Sequence, residues 1–180
     1  VERVTPRLPA TDSLRMKPRI KLAETKTPDG GTLALFEHDT AFAIFLEGKE
    51  LMHSKVVCSE KLLGTVGVEK LDRQDPGRIL IGGLGLGFTL RSVVESVGPD
   101  TQIEVAELIP DVIHWNQTHM SDLNGSLLND PRVSIHSGDV AQLVAQTKPG
   151  TYDAIMLDID NGPVAMAADS NADLYSAAGV

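Results

Sequence analysis

Arg78-Ile79-Leu80-Ile81-Gly82-Gly83-Leu84-Gly85-Leu86-Gly87-Phe88-Thr89-Leu90 is the stretch that decides the fold of this 180-residue chain. A short apolar run over 78–81 empties into a glycine-rich turn. Leu86, Leu90, Val93, Val94 and Val97 then recur on one helical stripe until Gly98-Pro99 closes it. Strand, glycine turn and helix in that order let backbone N–H groups approach a nucleotide or nucleoside closely. Spacing discriminates further. Gly83, Gly85 and Gly87 form GxGxG, whereas the dinucleotide fingerprint needs glycine where Phe88 stands. The pattern favours a nucleoside of the S-adenosylmethionine type, which has no pyrophosphate, over NAD or FAD. The competing reading is a turn needed only for strand–helix packing, which would not call for glycine at 82, 83, 85 and 87 together.

Downstream the same rhythm continues. Strands are expected over 102–108, 133–136 and 152–159, with helices over 110–119 and 140–146, the second stopped by Pro149-Gly150. Apolar strands alternating with helices imply a parallel sheet covered on both faces. Upstream, a polar connector over 72–77 precedes it. Before that, β-rich stretches over 32–37, 41–46 and 51–57 are separated by turn residues and read as a small antiparallel meander. A helix over 59–68 follows, with Ser59 placed to cap it and Leu62, Leu63 and Val66 on one side. Residues 1–20 carry three prolines and four arginines without periodicity and read as an arm. The resulting division is an arm over 1–20, a β-meander with its helix over 21–71, and a nucleoside-binding domain over 72–180. The fold class is α/β, with a Rossmann-type parallel sheet.

Acidic residues stand at the carboxyl ends of the expected strands, where open α/β sheets bind ligands. Glu107 ends the second strand and is suited to accept hydrogen bonds from both ribose hydroxyls. Asp139 follows the third, where it can meet an adenine amino group or cap the helix from Val140, and both readings stand. Asp158 and Asp160 end the fourth, Asp158 as a base or as a holder of a cationic substrate. Asp153 begins the same strand, at the opposite edge of the sheet, and is structural by position. The five histidines form no metal pattern, since His114 and His119 lie on different helix faces, and no metal is expected. Cys58, the one cysteine, reads as a small buried hydrophobe, and Trp115 as packing.

The charge is −9, from 16 basic and 25 acidic residues, and aromatic residues make up 4%. A chain so acidic, without a basic stripe interleaved with aromatics, is a poor nucleic-acid partner. No apolar run approaches a membrane span, a single cysteine cannot form an intrachain disulfide, and a cytoplasmic location is the expectation.

Taken together, these motifs resemble the spermidine synthase (polyamine aminopropyltransferase) family on the methyltransferase-like Rossmann fold, over about 33–175. Leu46-Glu47-Gly48 is similar to the Leu-Asp-Gly of that family's N-terminal hairpin, and residues 81–87 resemble its glycine motif. Glu107-Leu108-Ile109-Pro110 resembles its Glu-x-Asp-Pro strand end, and Asp130-Pro131-Arg132-Val133 leading to Gly138-Asp139 its Asp-Pro-Arg-Val…Gly-Asp segment. Tyr152-Asp153, Asp158, Gly162-Pro163 and Leu174-Tyr175-Ser176 keep the family order. The resemblance implies that Gly83, Gly85 and Gly87 line the nucleoside, Glu107 holds the ribose, Asp139 reaches adenine and Asp158 is the catalytic aspartate. The implied donor is decarboxylated S-adenosylmethionine, or S-adenosylmethionine itself, with a small-molecule amine as acceptor. Methyl transfer to a small molecule and non-catalytic nucleoside binding are the alternatives.

Two departures are visible. The family often shows Asp-Ser-x-Asp at the fourth strand end, its second acid gripping the amine. Here the run is Asp158-Ile159-Asp160-Asn161, so Asp160 and Asn161 are the candidate amine contacts. The Asp-Glu-Phe-x-Tyr-His-Glu signature is replaced by Leu51-Met52-His53-Ser54-Lys55 and then Ser59-Glu60, as in shorter bacterial spermidine synthase-like proteins. Four strands are expected where such sheets usually have seven. The reading is therefore a C-terminally truncated variant whose apolar edge strand is covered in a homo-oligomer.

Overall fold

Two tight hairpins with positive φ at both central residues build the N-terminal sheet in the computed structural model, which describes residues 18–74 and 76–159. Asp39 and Thr40 (φ 51° and 64°) join β2 (Thr32–His38) to β3 (Ala41–Leu46), and Glu47 and Gly48 (φ 50° and 77°) join β3 to β4 (Lys49–His53). This turn geometry matches the twist of the flanking strands. A further strand, β1 (Ile20–Lys26), pairs antiparallel with β2, so the meander has four strands in the order β1-β2-β3-β4 rather than three. Its alternation is diluted by Lys21 and Glu24, exposed charges of an edge strand that pair with each other at 2.8 Å, which is why periodicity passed over it. Ile20 thus belongs to the sheet and not to the arm. The rest of the arm over 1–17, Asp160, Asn161, Gly162-Pro163, the Leu174–Ser176 element and the end of the chain lie outside the described residues.

Helix α1 (Cys58–Gly67) departs from expectation in three ways. Its N-cap is Val57 rather than Ser59, whose hydroxyl instead donates to Glu60 Oε2 at 2.7 Å. Cys58 is exposed, not buried. Leu62 and Val66 are 63% and 54% exposed, so of the expected stripe only Leu63 packs on the core. Small residues set the rotation. A Cβ on Gly64 would lie 2.6 Å from Ser92 Cβ, and one on Gly67 would lie 2.3 Å from Met156 Sδ, so this face packs directly on the next helix and the sheet.

The second sheet is wholly parallel, in the order β7-β6-β5-β8. Its elements run β5 (Arg78–Gly82), α2 (Phe88–Ser96), β6 (Gln102–Glu107), α3 (Pro110–Gln117), α4 (Ser121–Asn124), β7 (Val133–Ser137), α5 (Val140–Gln146) and β8 (Ala154–Leu157). The short α4 was not anticipated. Strand alternation divides the core: Ile79, Ile81, Ile103 and Val105 pack with Leu90, Val93 and Val97, while Leu80 and Ala106 face Val140 on the opposite side. A third cluster, with Leu33, Leu35, Ile44, Leu86, Ile109 and Trp115, joins the meander to the parallel-sheet unit. Trp115 is 2% exposed and packs as expected. The Arg132 guanidinium binds Asp130 at 2.8 Å, holding that carboxyl down at about 2, and reaches Gly98 O at 3.2 Å. That motif ties two loops together. Among the described residues, β8 is an outer strand and no helix is long and apolar enough to cross a membrane.

Candidate functional site

The carboxyl ends of the parallel strands are laced to one another. Gly83 N donates to Ala106 O at 2.8 Å, Gly138 N to Glu107 O at 2.9 Å, and Asp158 N to Gly82 O at 2.7 Å. These bonds bring the residues just beyond β5, β6, β7 and β8 to one rim. The chain leaves β5 for β6 and β7 on one side and returns to β8 on the other, and this reversal is where such sheets open a crevice. A cleft lies there, lined by Gly83, Gly85, Glu107, Gly138, Asp139 and Asp158 together with an apolar wall.

Gly83, at φ 92°, is the tightest point. A Cβ there would sit 2.1 Å from the carbonyl oxygen of Asp158, so only glycine lets β5 and β8 close to this spacing. Gly87 has a different task from the one the resemblance implies. It does not line the cleft but occupies the N-cap of α2 at φ 81°, and the Asn124 side chain fills the space its Cβ would need. Asn124 and Asn116, 1% and 0% exposed, hold the glycine turn from behind. Asn116 Nδ2 donates to Gly85 O at 2.9 Å, and Asn124 Nδ2 donates to Leu86 O at 2.8 Å and to Asn116 Oδ1 at 2.7 Å. Arg91 in turn donates to Asn124 Oδ1 at 3.0 Å. Burying amides without such partners would be costly, so this network gives the turn one conformation.

Glu107 is 7% exposed. Its Oε2 accepts from Leu84 N at 2.8 Å and its Oε1 from Ile109 N at 2.9 Å. Burial pushes the carboxyl above its ordinary value, while the backbone N–H groups pull it back. The backbone N–H groups that act on it are those of Ile109, Leu84, Gly85 and Leu108. Asp139 is the N-cap of α5, accepting from Ala141 N at 2.8 Å, and lines the cleft as well. Asp158 Oδ2 accepts from the Thr89 hydroxyl at 2.6 Å. Burial raises its carboxyl, the Thr89 bond lowers it, and the Glu60 charge raises it further. Asp153, at the other end of β8, accepts from Arg78 N at 2.8 Å, a structural bond as its position implied. Among the described residues there is no cluster of His, Cys, Asp and Glu suited to a metal.

The apolar wall was not foreseen. Leu33, Ile44, Leu51 and Met52 come from the meander, Ile109 and Val112 from the start of α3. Consecutive strand residues normally face opposite ways, yet both Leu51 and Met52 line the cleft. The register explains it: Ile44 pairs with Met52 and Phe45 with Glu50, leaving Leu51 as the extra residue of a bulge. Thr89 was also missed. Its place on the first turn of α2, directly after the glycine turn, was the available signal.

A family model described as the spermine/spermidine synthase domain matches residues 57–178. Putrescine N-methyltransferase 4 of Nicotiana tabacum is 31% identical over 97 residues, 53% of this chain and 24% of that protein. The polyamine aminopropyltransferase of Korarchaeum cryptofilum is 32% identical over 89 residues, 49% of this chain and 27% of its own length. The crystal structure of spermidine synthase from Thermotoga maritima shares the fold, with a TM-score of 0.62 at 21% identity over 78% of this chain and 47% of the other. The chain thus spans about a quarter of these curated relatives and under half of the solved structure. The family model covers well over half of the chain, in the segment that holds the glycine turn and the strand-end acids, and the chain belongs to the spermine/spermidine synthase domain family.

Proposed function

We propose that the cleft binds decarboxylated S-adenosylmethionine and that the chain transfers its aminopropyl group to a primary amine of a polyamine. The observation that carries this reading is the charge of the cleft: Glu107, Asp139 and Asp158 line it, and no lysine, arginine or histidine does among the described residues. The decarboxylated sulfonium bears only positive charge, and the acceptor amine is an ammonium near neutral pH. Acidic walls suit both, and a donor carboxylate would meet no cation among the described lining residues.

In this reading Glu107 takes the ribose hydroxyls, Asp139 the adenine amino group, and Gly83 and Gly85 let the nucleoside lie against the backbone. Leu51 and Met52 close over it and exclude water. Asp158 binds the ammonium and accepts its proton, leaving a neutral amine. The amine nitrogen forms a bond to the aminopropyl carbon. The carbon–sulfur bond breaks with its electron pair passing to the sulfonium, and methylthioadenosine leaves. The sulfonium is already an activated leaving group, so positioning is the main contribution asked of the protein. Asp160 and Asn161 are the proposed further contacts to the amine, and a homo-oligomer located in the cytoplasm is part of the same proposal.

The test is turnover of decarboxylated S-adenosylmethionine with putrescine, read as methylthioadenosine released. Asp158→Asn should abolish release while methylthioadenosine affinity stays within about twofold. A second reading, methyl transfer from intact S-adenosylmethionine to a polyamine, is favoured by the likeness to putrescine N-methyltransferase 4. Release of S-adenosylhomocysteine in place of methylthioadenosine would select it. An intact nucleoside affinity without either product would reduce the chain to a binding protein.

A further inference from the structure

Thr89 is the second residue of α2 and 2% exposed. Its hydroxyl lies 2.6 Å from Asp158 Oδ2 and 3.3 Å from the carbonyl oxygen of Glu60, the third residue of α1. A threonine hydroxyl has a single proton, and the shorter contact to a carboxylate takes it. Gly64 creates this meeting point. A Cβ on Gly64 would stand 2.8 Å from the Thr89 carbonyl oxygen, so α1 presses onto α2 there and brings the backbone of Glu60, one turn earlier on the same face, beside the hydroxyl. Asp158 is therefore held at two points. Its backbone N–H is bound to Gly82 O at 2.7 Å and one carboxylate oxygen is bound to Thr89.

We propose that Thr89 is the positioning residue for Asp158, fixing Oδ2 so that the carboxylate stays ionised and presents Oδ1 to the substrate ammonium. The inference rests on the assignment of Asp158 to the amine made above. Among the described residues the Glu60 charge from α1 opposes ionisation of Asp158, and the other charged groups that line the cleft, Glu107 and Asp139, are acidic as well. No lysine or arginine lines the cleft among the described residues, which leaves the Thr89 hydroxyl as the group that favours the carboxylate form. Thr89 stands between α1 and Asp158, so a shift of α1 on α2 would reach the acid through its hydroxyl.

The experiment compares the full chain with Thr89→Val, nearly isosteric but unable to donate, and with Thr89→Ser, which keeps the donor. The first readout is the titration of the Asp158 carboxyl by carbon-13 NMR, its resonance identified by its loss in Asp158→Asn. The second is the pH profile of kcat/KM for methylthioadenosine release. In Thr89→Val the titration should move up by about one pH unit, the worth of a hydrogen bond to a charged group. The acid limb of the profile should move with it, cutting kcat/KM about tenfold at pH values below the limb. Thr89→Ser should restore both, and methylthioadenosine affinity should stay within about twofold in each variant. An unshifted titration in Thr89→Val, or a Thr89→Ser protein indistinguishable from it, overturns the proposal. Should the unmodified chain release no methylthioadenosine, the aminopropyl reading fails, and the carboxyl titration still decides whether Thr89 governs Asp158.

Discussion

Replacing Glu107 by glutamine keeps the shape of a buried side chain and changes only its charge and acceptor count. The carboxylate now takes backbone N–H groups at 2.8 and 2.9 Å, one on each oxygen. Glutamine has a single acceptor oxygen, so its amide NH2 must face one of those N–H groups and can no longer accept a ribose hydroxyl. One charge-assisted hydrogen bond to the ligand is lost, worth about 2 kcal/mol, or about thirtyfold in affinity. Calorimetric titration with methylthioadenosine reads this directly. The pH dependence adds a second signature. Burial holds the carboxyl above the ordinary 4.5 of glutamate, and the ribose hydroxyls need its ionised form. Affinity of the unmodified chain should fall as pH drops through that raised value, whereas Glu107→Gln should be flat over the same range. Stability runs the other way. A carboxyl with a raised folded-state value favours the protonated folded form, so its contribution is present below the unfolded-state value and lost as pH rises through the folded one. The stability deficit of Glu107→Gln in urea should therefore shrink with rising pH. Binding within about threefold of the unmodified chain would refute the ribose assignment, because no hydrogen bond to a charged group is worth so little.

The remaining expectations concern the supports of the site. Asn124→Ala removes the bonds to Leu86 O and Asn116 Oδ1 and leaves the Arg91 donor without that partner, so urea unfolding should show a loss of about 2–3 kcal/mol, with weakened methylthioadenosine binding as the turn relaxes. Asp153→Ala deletes the bond from Arg78 N at the far end of β8 and should cost about 1 kcal/mol in urea while leaving methylthioadenosine binding and release unchanged. A loss of turnover in that variant would contradict the division of β8 into a structural end and a ligand end.

Much of this architecture was legible residue by residue. The glycine turn between an apolar strand and an amphipathic helix, the alternation that follows it, and the acids at strand ends all rest on local periodicity and local turn chemistry. The carboxyl-end placement of Glu107, Asp139 and Asp158 and the opposite placement of Asp153 follow from strand direction alone. The apolar wall of the cleft did not show. A bulge is a property of two strands in register, and nothing in Leu51-Met52 by itself indicates that both face the same way. Gly87 was assigned to the ligand because its motif is shared with Gly83 and Gly85, and the Asn124 side chain behind it comes from a helix of four residues, too short for periodicity to reveal.

The sequence by itself therefore determined the order of elements and which strand ends carry carboxylates, because backbone propensity and strand alternation act over a few residues. Tertiary structure alone decided how α1 is rotated, that Asn116 and Asn124 brace the glycine turn, that Leu51 and Met52 both line the cleft, and that Thr89 meets Asp158. Each of these depends on contacts between segments far apart in the chain, such as Gly64 against Ser92 and Thr89 against Asp158, whose geometry is set by close packing and not by any local signal.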